Sequence, residues 1–122
     1  MRRRQLNRQV GDIGEDAAAR ELDRLGYRIL ARNYRCPRGE IDIIAEHHGV
    51  IAFVEVKTRS PRALATPASA VDADKRRRLR HAAAFYMAGF RKPSPRRFDI
   101  ASVWVDAADK VERVEVEENA FE

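Results

Sequence analysis

The chain has 122 residues, which fits one compact domain with its own core and leaves no room for a large additional recognition domain. Its formal net charge is +5, and its single cysteine, Cys36, excludes an internal disulfide and a thiolate zinc site. No apolar stretch is long enough for a signal peptide or a membrane span. We therefore expect a cytoplasmic protein with no membrane partner, forming one domain over residues 1–122 with a basic N-terminus at 1–10 that can be flexible.

A first helix is predicted to begin at Asp12 and to stop at Gly26. Asp12 can cap it, Glu15 occupies the third helical position of a capping box, and glycine is a frequent helix stop. At about 100° per residue, one stripe of this helix should face the core. Its predicted members are Glu15, Ala18, Leu22 and Leu25.

Five strands and a second helix follow. The strands are predicted at residues 27–34, 40–46, 50–58 and 98–104, with a short edge strand at 111–116. Residues 59–70 are small and include prolines, which indicates a surface loop. The second helix begins between Thr66 and Val71, runs to about Met87 and is capped by Gly89. The order αβββαββ predicts an α/β fold in which helices flank a mixed central sheet.

The predicted hairpin carries acidic residues among large apolar ones. Asp42 lies on its first strand, and Glu55 precedes Lys57 by two positions on its second strand. Because side chains alternate along a strand, a two-residue turn at 48–49 or a four-residue loop at 47–50 would set Asp42 opposite Glu55. A three-residue turn would break this pairing.

Two carboxylates in that register would repel each other unless a positive charge lies between them. With opposed Cβ atoms about 5 Å apart, the repulsion is roughly 3 kcal/mol at an effective dielectric near 20. Carboxylate oxygens favour a hard ion, Mg²⁺ or Mn²⁺, which can polarise a phosphoryl oxygen and activate a water. Lys57 could orient that water or stabilise the developing charge, and Glu15 could supply a further oxygen ligand.

Each of these residues also has a purely structural interpretation. A Glu-x-Lys pair on a strand is usually solvated, although the flanking apolar residues here favour a central strand, where charge is costly. Lys75, between Val71 and Leu79 on the second helix, could lean toward the acidic pair or extend into solvent. Residues expected to have little functional role are the turn histidines His47 and His48, the strand-start residue Asp99, and Thr58 on the other face.

Basic residues are concentrated at the N-terminus and at residues 75–80 and 91–97, whereas residues 112–122 are acidic. This asymmetry indicates a polyanion-binding face, although the charge alone is equally consistent with a solvated basic surface. The predicted nucleic-acid contacts are Arg3, Arg4, Arg8, Lys75, Arg76, Arg77, Arg78 and Arg80.

Several stretches resemble the YraN-like family of small bacterial proteins, over about residues 11–121. They are GDIGEDAAARELDRLGYRILARNYR, GEIDIIA, FVEVKTR, the helix with Lys75, RFDIASV and ENAF. Asp42 followed by Glu55-Val-Lys57 also resembles the PD-(D/E)xK nuclease signature on its usual β-hairpin, with Ile41 where that signature has proline. The resemblance implies a restriction-endonuclease-like fold and similarity to archaeal Holliday-junction resolvases.

By position, the resemblance implies that Asp42 and Glu55 are metal ligands, completed by the Val56 carbonyl and by Glu15. The catalytic residues would be Asp42, Glu55, Lys57 and Glu15. The expected function is a Mg²⁺- or Mn²⁺-dependent DNA endonuclease acting on branched or recombination intermediates, with DNA favoured over RNA and a homodimer by analogy. The alternatives are a non-catalytic nucleic-acid-binding or adaptor protein on a nuclease scaffold, and a protein-interaction role for the acidic C-terminus.

Overall fold

The computed structural model describes residues 2–60 and 71–122, with side chains described from residue 10 onward within those ranges. The helices are α1 (Arg2–Arg24) and α2 (Ala73–Met87), and the strands are β1 (Arg28–Cys36), β2 (Gly39–His47), β3 (Val50–Arg59), β4 (Arg96–Val105) and β5 (Val111–Phe121). The predicted order αβββαββ and the α/β class with a mixed sheet and two helices are confirmed. Neither described helix is long and apolar enough to cross a membrane.

The strands form one sheet in the order β1-β2-β3-β4-β5. Neighbours are antiparallel except β3 and β4, which run parallel and have α2 between them in the chain. His48 and Gly49 form the β2–β3 turn with φ angles of 52° and 77°, both in the left-handed region that a two-residue type I′ turn requires. Ile43 therefore lies opposite Val54, which confirms the register predicted for a two-residue turn.

A helix covers each face of the sheet. Leu22 of α1 packs against one face, with small and branched residues of β2, β3 and β4, and Leu79 of α2 packs against the other. Phe53 belongs to the α2 side. Because side chains alternate along β3, Glu55 and Lys57 point toward α2 as well.

The first helix begins earlier than predicted. It starts at Arg2, so Asp12 lies inside the helix and the predicted Asp12–Glu15 capping box is wrong. Arg, Gln and Leu are good helix formers, and their presence in the first ten residues explains how the helix extends upstream of the apparent cap. The expectation of flexibility for residues 1–10 stays a prediction.

The predicted end of α1 at Gly26 is confirmed. Gly26 has φ 92°, and the N–H of Tyr27 donates to the carbonyl of Leu22 at 2.9 Å, a left-handed helix stop that a β-carbon would disfavour. Leu25, predicted to lie on the buried stripe, is 41% exposed. Leu25 follows the last residue of α1, so it does not continue the helical face that packs on the sheet.

The second helix begins at Ala73, slightly later than the predicted range. Asp72 is its N-cap, and the carboxylate of Asp72 accepts the N–H of Lys75 at 2.8 Å. The helix ends at Met87 as predicted, but its C-cap is Ala88 and not Gly89. Residues 61–70, which include most of the predicted loop, lie outside the described residues.

The outer strands β1 and β5 differ in charge. β1 contains three arginines and no acidic residue, whereas β5 contains four glutamates and one arginine. β5 is also longer than predicted, because it continues to Phe121 beyond residue 116. The side chains of the two edge strands therefore carry opposite charge, and each arginine of β1 is paired with a carboxylate of α1 or β2.

Candidate active site

Asp42 and Glu55 line one cavity beneath the N-terminal half of α2. Its volume is about 120 Å³, and its other lining residues are Gly39, Glu40, Lys75, Arg78 and Leu79. The pairing of β2 with β3 ends at Ile43 and Val54, and beyond it Oδ2 of Asp42 accepts the N–H of Val56 at 2.8 Å. The structure thus brings the two predicted carboxylates together.

The environment of the two carboxylates disfavours a full negative charge on Asp42. The side chain of Glu55 is 8% exposed, and its Oε1 lies 2.5 Å from Nζ of Lys75. Burial and the charge of Glu55 raise the pKa of Asp42 to about 7, although the Val56 N–H and Lys75 act in the opposite direction. The site therefore favours either a proton on Asp42 or a further cation beside it.

Two lysines, Lys57 and Lys75, lie near the acidic pair. Lys75 is the one in contact with Glu55, although it was predicted to be a nucleic-acid contact. Lys57 follows Glu55 on the same face of β3, and partial burial lowers the pKa of its ammonium. The sequence signal for Lys75 was its spacing between Val71 and Leu79, both of which are buried. That spacing directs Lys75 toward the sheet.

Glu15 approaches the pair from α1 but does not line the cavity. Its Oε1 accepts hydrogen bonds from Nε of Arg32 at 3.0 Å and from Nδ2 of Asn33 at 3.1 Å. Its charge still contributes to the raised pKa of Asp42. Within residues 10–60 and 71–122, no three acidic, histidine or cysteine side chains are grouped to hold a metal ion. Glu15 would have to leave Arg32 to join the other two carboxylates.

A glycine allows α1 to approach β3 beside the site. A β-carbon on Gly14 would lie only 1.9 Å from Oγ1 of Thr58, so the helix backbone lies directly on the strand. Thr58 therefore faces α1, on the opposite side of the sheet from Lys57, as the alternation predicted. This contact sets the distance between β3 and the next helical residue, Glu15.

The main chain of Val56 also borders Asp42. In a strand the N–H and C=O of one residue point to the same side, so the Val56 carbonyl lies on the side where its N–H meets Asp42. Ladder pairing with β2 has ended at this point. The carbonyl that the resemblance assigned as a ligand is therefore on the edge of β3 nearest the acidic pair.

The predicted basic contacts on α2 lie on two flanks of the helix. Arg77 and Arg78 pair with Asp74 on the exposed side, and Arg78 also lines the cavity. Arg76 and Arg80 lie on the flank near the end of β5, where Nη1 of Arg80 donates to a main-chain carbonyl at 2.7 Å. The side chains of Arg3, Arg4 and Arg8 lie outside the described part of the structure.

A sequence profile of the uncharacterised protein family UPF0102 matches residues 14–103. The chain belongs to this family. The matched span includes all the predicted catalytic residues and Lys75, so the whole acidic cavity falls within the UPF0102 region.

Similar UPF0102 proteins of bacteria extend over most of this chain. One from Moorella thermoacetica is 52% identical over 116 residues, which cover 93% of this chain and 96% of that protein. One from Symbiobacterium thermophilum is 52% identical over 99 residues, 80% of this chain and 84% of that protein. One from Caldicellulosiruptor saccharolyticus is 37% identical over 115 residues, 93% and 98% respectively. UPF0102 similarity therefore extends over the fold and not only over the acidic hairpin.

The sequence did not reveal a second buried polar cluster, which lies outside the cavity. Asp99 is fully buried and accepts hydrogen bonds from the Tyr27 hydroxyl at 2.8 Å, Nε of Arg97 at 3.0 Å and the N–H of Asn119 at 2.9 Å. His47 stacks on Tyr27, with ring centroids 4.0 Å apart, and its Nδ1 lies 2.8 Å from Nη2 of Arg97.

Asp99 was expected to be a polar residue at a strand start and His47 a turn residue, and both belong to this buried cluster. Both are buried within the UPF0102 span, and burial together with the Asp99 hydrogen bond raises the pKa of the Tyr27 hydroxyl. The available signal was a charged residue between Phe98 and Ile100 in an otherwise apolar strand, where a charge needs a partner. The sequence did not reveal which segments supply those partners.

Proposed function

We propose that the protein is a metal-dependent nuclease of the PD-(D/E)xK superfamily that hydrolyses phosphodiester bonds in DNA. The observation that supports this best is the shared cavity of Asp42 and Glu55, in which Lys75 contacts Glu55 and the pKa of Asp42 is raised to about 7 by burial and by the charge of Glu55. Buried like charges destabilise a fold unless a ligand offsets them, so a purely structural role would gain nothing from this arrangement. The αβββαβ order and the hairpin position of the pair support a restriction-endonuclease-like fold.

The donor atoms of the site fit a hard divalent cation. Asp42, Glu55 and the carbonyl of Val56 offer only oxygen ligands, which favour Mg²⁺ or Mn²⁺. Glu15 would join them, directly or through water, after leaving Arg32. When bound, the ion would polarise a phosphate and make a water more acidic.

The remaining roles belong to cationic side chains. Lys57 points to the same side of β3 as Glu55, and the lowered pKa of its ammonium suits a group that orients water or stabilises negative charge at a phosphate. Arg78 lines the cavity and can bind a neighbouring phosphate. Such contacts give salt-dependent affinity that is largely independent of base sequence.

The fuller form of the proposal concerns the substrate and the assembly. The resolvases that this chain resembles act with paired sites on branched DNA. By analogy, this protein would act as a cytoplasmic homodimer on recombination intermediates.

Cleavage of labelled four-way and forked DNA with Mg²⁺ or Mn²⁺ tests the proposal. The wild type is expected to cut, whereas Asp42→Asn and Glu55→Gln should lose at least about a hundredfold in rate. Asp23→Asn is the matched control, because it neutralises an exposed carboxylate near the end of α1, away from the cavity. Calorimetric titration with Mg²⁺ should give binding heat for the wild type and the control only.

Two outcomes would contradict this proposal. The first is that the purified protein cuts none of the substrates with either ion. The second is that Asp42→Asn cuts as fast as the wild type. Loss of cleavage in the Asp23→Asn control would show that the assay reports stability and not the site.

A second candidate function is nucleic-acid binding without catalysis on the same scaffold. The observation that favours it is that Glu15 is held by Arg32 and Asn33 and is not grouped with the other carboxylates. This alternative predicts DNA binding without turnover and no effect of Glu55→Gln on that binding. The Mg²⁺ titration separates it from the nuclease proposal.

A further inference from the structure

The exposed flank of α2 carries an aromatic side chain in line with the acidic cavity. Phe85 is 55% exposed, more than any other large hydrophobic residue among those described. It lies seven residues after Arg78 and four after His81, a spacing that puts the three on one stripe of the helix. Arg78 lines the cavity with Asp42, so the stripe starts at the candidate site.

Phe85 is not an unfilled part of the core. The inner stripe of α2 is already formed by Leu79, Ala82 and Ala83, which are buried against the sheet. A single exposed apolar residue is ordinary in a folded protein. Phe85 differs because it is aligned with Arg78 at the cavity and lies on a helix whose N-terminal half is basic.

The helix that carries Phe85 is basic in its N-terminal half. From Asp72 to Ala88, α2 and its caps contain five basic and two acidic residues. Just past the helix, a second cavity of about 580 Å³ is lined in part by Phe90, Arg91, Lys92 and Arg96. Phe90 is itself 36% exposed. Two exposed aromatic rings, Phe85 and Phe90, therefore lie between the basic half of α2 and the cations that follow the helix.

This combination fits a single strand better than a duplex. Proteins that bind single-stranded nucleic acid combine a positive groove for the backbone with aromatic rings on which unpaired bases stack. In a duplex the base faces are already stacked, so an exposed ring offers no extra affinity. Arg78 and Phe85 are about 10 Å apart along the helix axis, so a strand held at the cavity can reach the ring.

We propose that the flank formed by Arg78, His81 and Phe85 binds a single-stranded DNA segment that leads into the acidic cavity. Arg78 contacts a phosphate, and Phe85 stacks on an unpaired base. The inference rests on the proposed function for the role of the cavity, and it narrows the substrate to DNA with a single-stranded arm. The binding itself requires no metal.

Fluorescence anisotropy in EDTA at low salt tests the surface directly. The probes are a labelled 15-nucleotide oligo(dT) and a labelled hairpin duplex of equal charge. Phe85→Ala should weaken oligo(dT) binding about tenfold and duplex binding by no more than about twofold, because one stacking contact is lost. Leu25→Ala is the matched control, since it shortens another exposed apolar side chain, just after the end of α1 and away from the flank.

A second variant keeps the test independent of any folding defect. Phe85→Trp should retain oligo(dT) affinity, and its indole fluorescence should be quenched on binding beyond the quenching seen with the wild type, which has only Trp104. Unchanged oligo(dT) affinity in Phe85→Ala overturns the inference. Equal losses for both probes, together with loss of a dimer in light scattering, would assign the flank to contact between copies and also overturn it.

The two proposals fail separately. If Mg²⁺ binds in an Asp42-dependent manner but Phe85→Ala has no effect on oligo(dT), the nuclease proposal stands and the single-strand surface does not. If Phe85 is required for oligo(dT) binding but no metal binds and no DNA is cut, the surface stands and the nuclease proposal does not.

Discussion

Nζ of Lys75 lies 2.5 Å from Oε1 of Glu55, within the cavity that Asp42 also lines. The cation that offsets the acidic pair in the metal-free protein is therefore one of its own side chains. The ammonium of Lys75 pairs with a carboxylate oxygen of Glu55 that a divalent ion would need as a ligand. Metal binding at this site should consequently displace Lys75 and leave its charge available for a phosphate.

Replacing Lys75 by methionine should strengthen Mg²⁺ binding. The expected gain is about fivefold, because a partly exposed ion pair is worth about 1 kcal/mol and the competing ammonium is gone. Calorimetric titration measures the dissociation constant. Arg77→Met is the control, since Arg77 pairs with Asp74 and does not line the cavity. Weaker Mg²⁺ binding in Lys75→Met would show that Lys75 supports the ion and does not compete with it.

The metal-free protein should lose stability as the pH rises toward neutral. Burial and the Glu55 charge raise the pKa of Asp42 to about 7, so the folded protein holds this proton more tightly than the unfolded chain does. The stabilising contribution of protonation is complete below about pH 4 and is lost as the pH rises through about 7. Thermal unfolding in EDTA across this range measures it.

Asp42→Asn should remove that pH dependence because the amide stays uncharged. Its melting temperature at pH 8 in EDTA should exceed the wild-type value by about 5 °C. Added Mg²⁺ should stabilise the wild type and not the variant. Asp23→Asn should retain the wild-type pH profile. A flat profile in the wild type would mean that Asp42 is not protonated preferentially in the folded state.

Two glycines of α1 should respond to alanine with opposite signs. In Gly14→Ala the new methyl would lie against Thr58, so we expect a loss of about 2 kcal/mol in the free energy of unfolding. Gly11 has no atom within 4 Å of an added β-carbon, and Gly11→Ala should stabilise the helix by about 0.5–1 kcal/mol. Urea unfolding measures both. Equal effects would argue against the close contact of α1 with β3.

Removing the buried carboxylate of Asp99 should destabilise the fold strongly. Asp99→Ala leaves Arg97 without its buried partner, which typically costs about 3–5 kcal/mol. Tyr27→Phe removes one hydrogen bond of the same cluster and should cost about 1 kcal/mol. Chemical denaturation compares them. A cost for Asp99→Ala below that of Tyr27→Phe would show that the ion pair contributes little.

Local signals predicted the part of the site that lies within one hairpin. The left-handed turn at His48-Gly49 fixes the register, and the register brings Asp42 close to Glu55. These residues are near each other in the sequence, and strand periodicity alone relates them. The hairpin was therefore predictable before any long-range contact was known.

Contacts between distant segments were not predictable in the same way. The pairing of Lys75 with Glu55 depends on how α2 lies across the sheet, and the partners of Asp99 come from β1, β4 and β5 or their ends. The start of α1 was misplaced because Asp12 and Glu15 have the spacing of a capping box. Gly14, between them, is needed for the close approach of the helix to Thr58.

The opposite charges of the outer strands give the sheet a polarity across its width. Two copies that meet through β5 bring glutamates against glutamates, and this encounter is repelled. Two copies that meet through β1 bring arginines against arginines, and the carboxylates paired with those arginines reduce the repulsion. An encounter of β1 with β5 of another copy is attracted, but it is head-to-tail and leaves a bare edge at each end. Aggregation through the sheet edges would therefore be open-ended, promoted by low ionic strength and weakened by added salt.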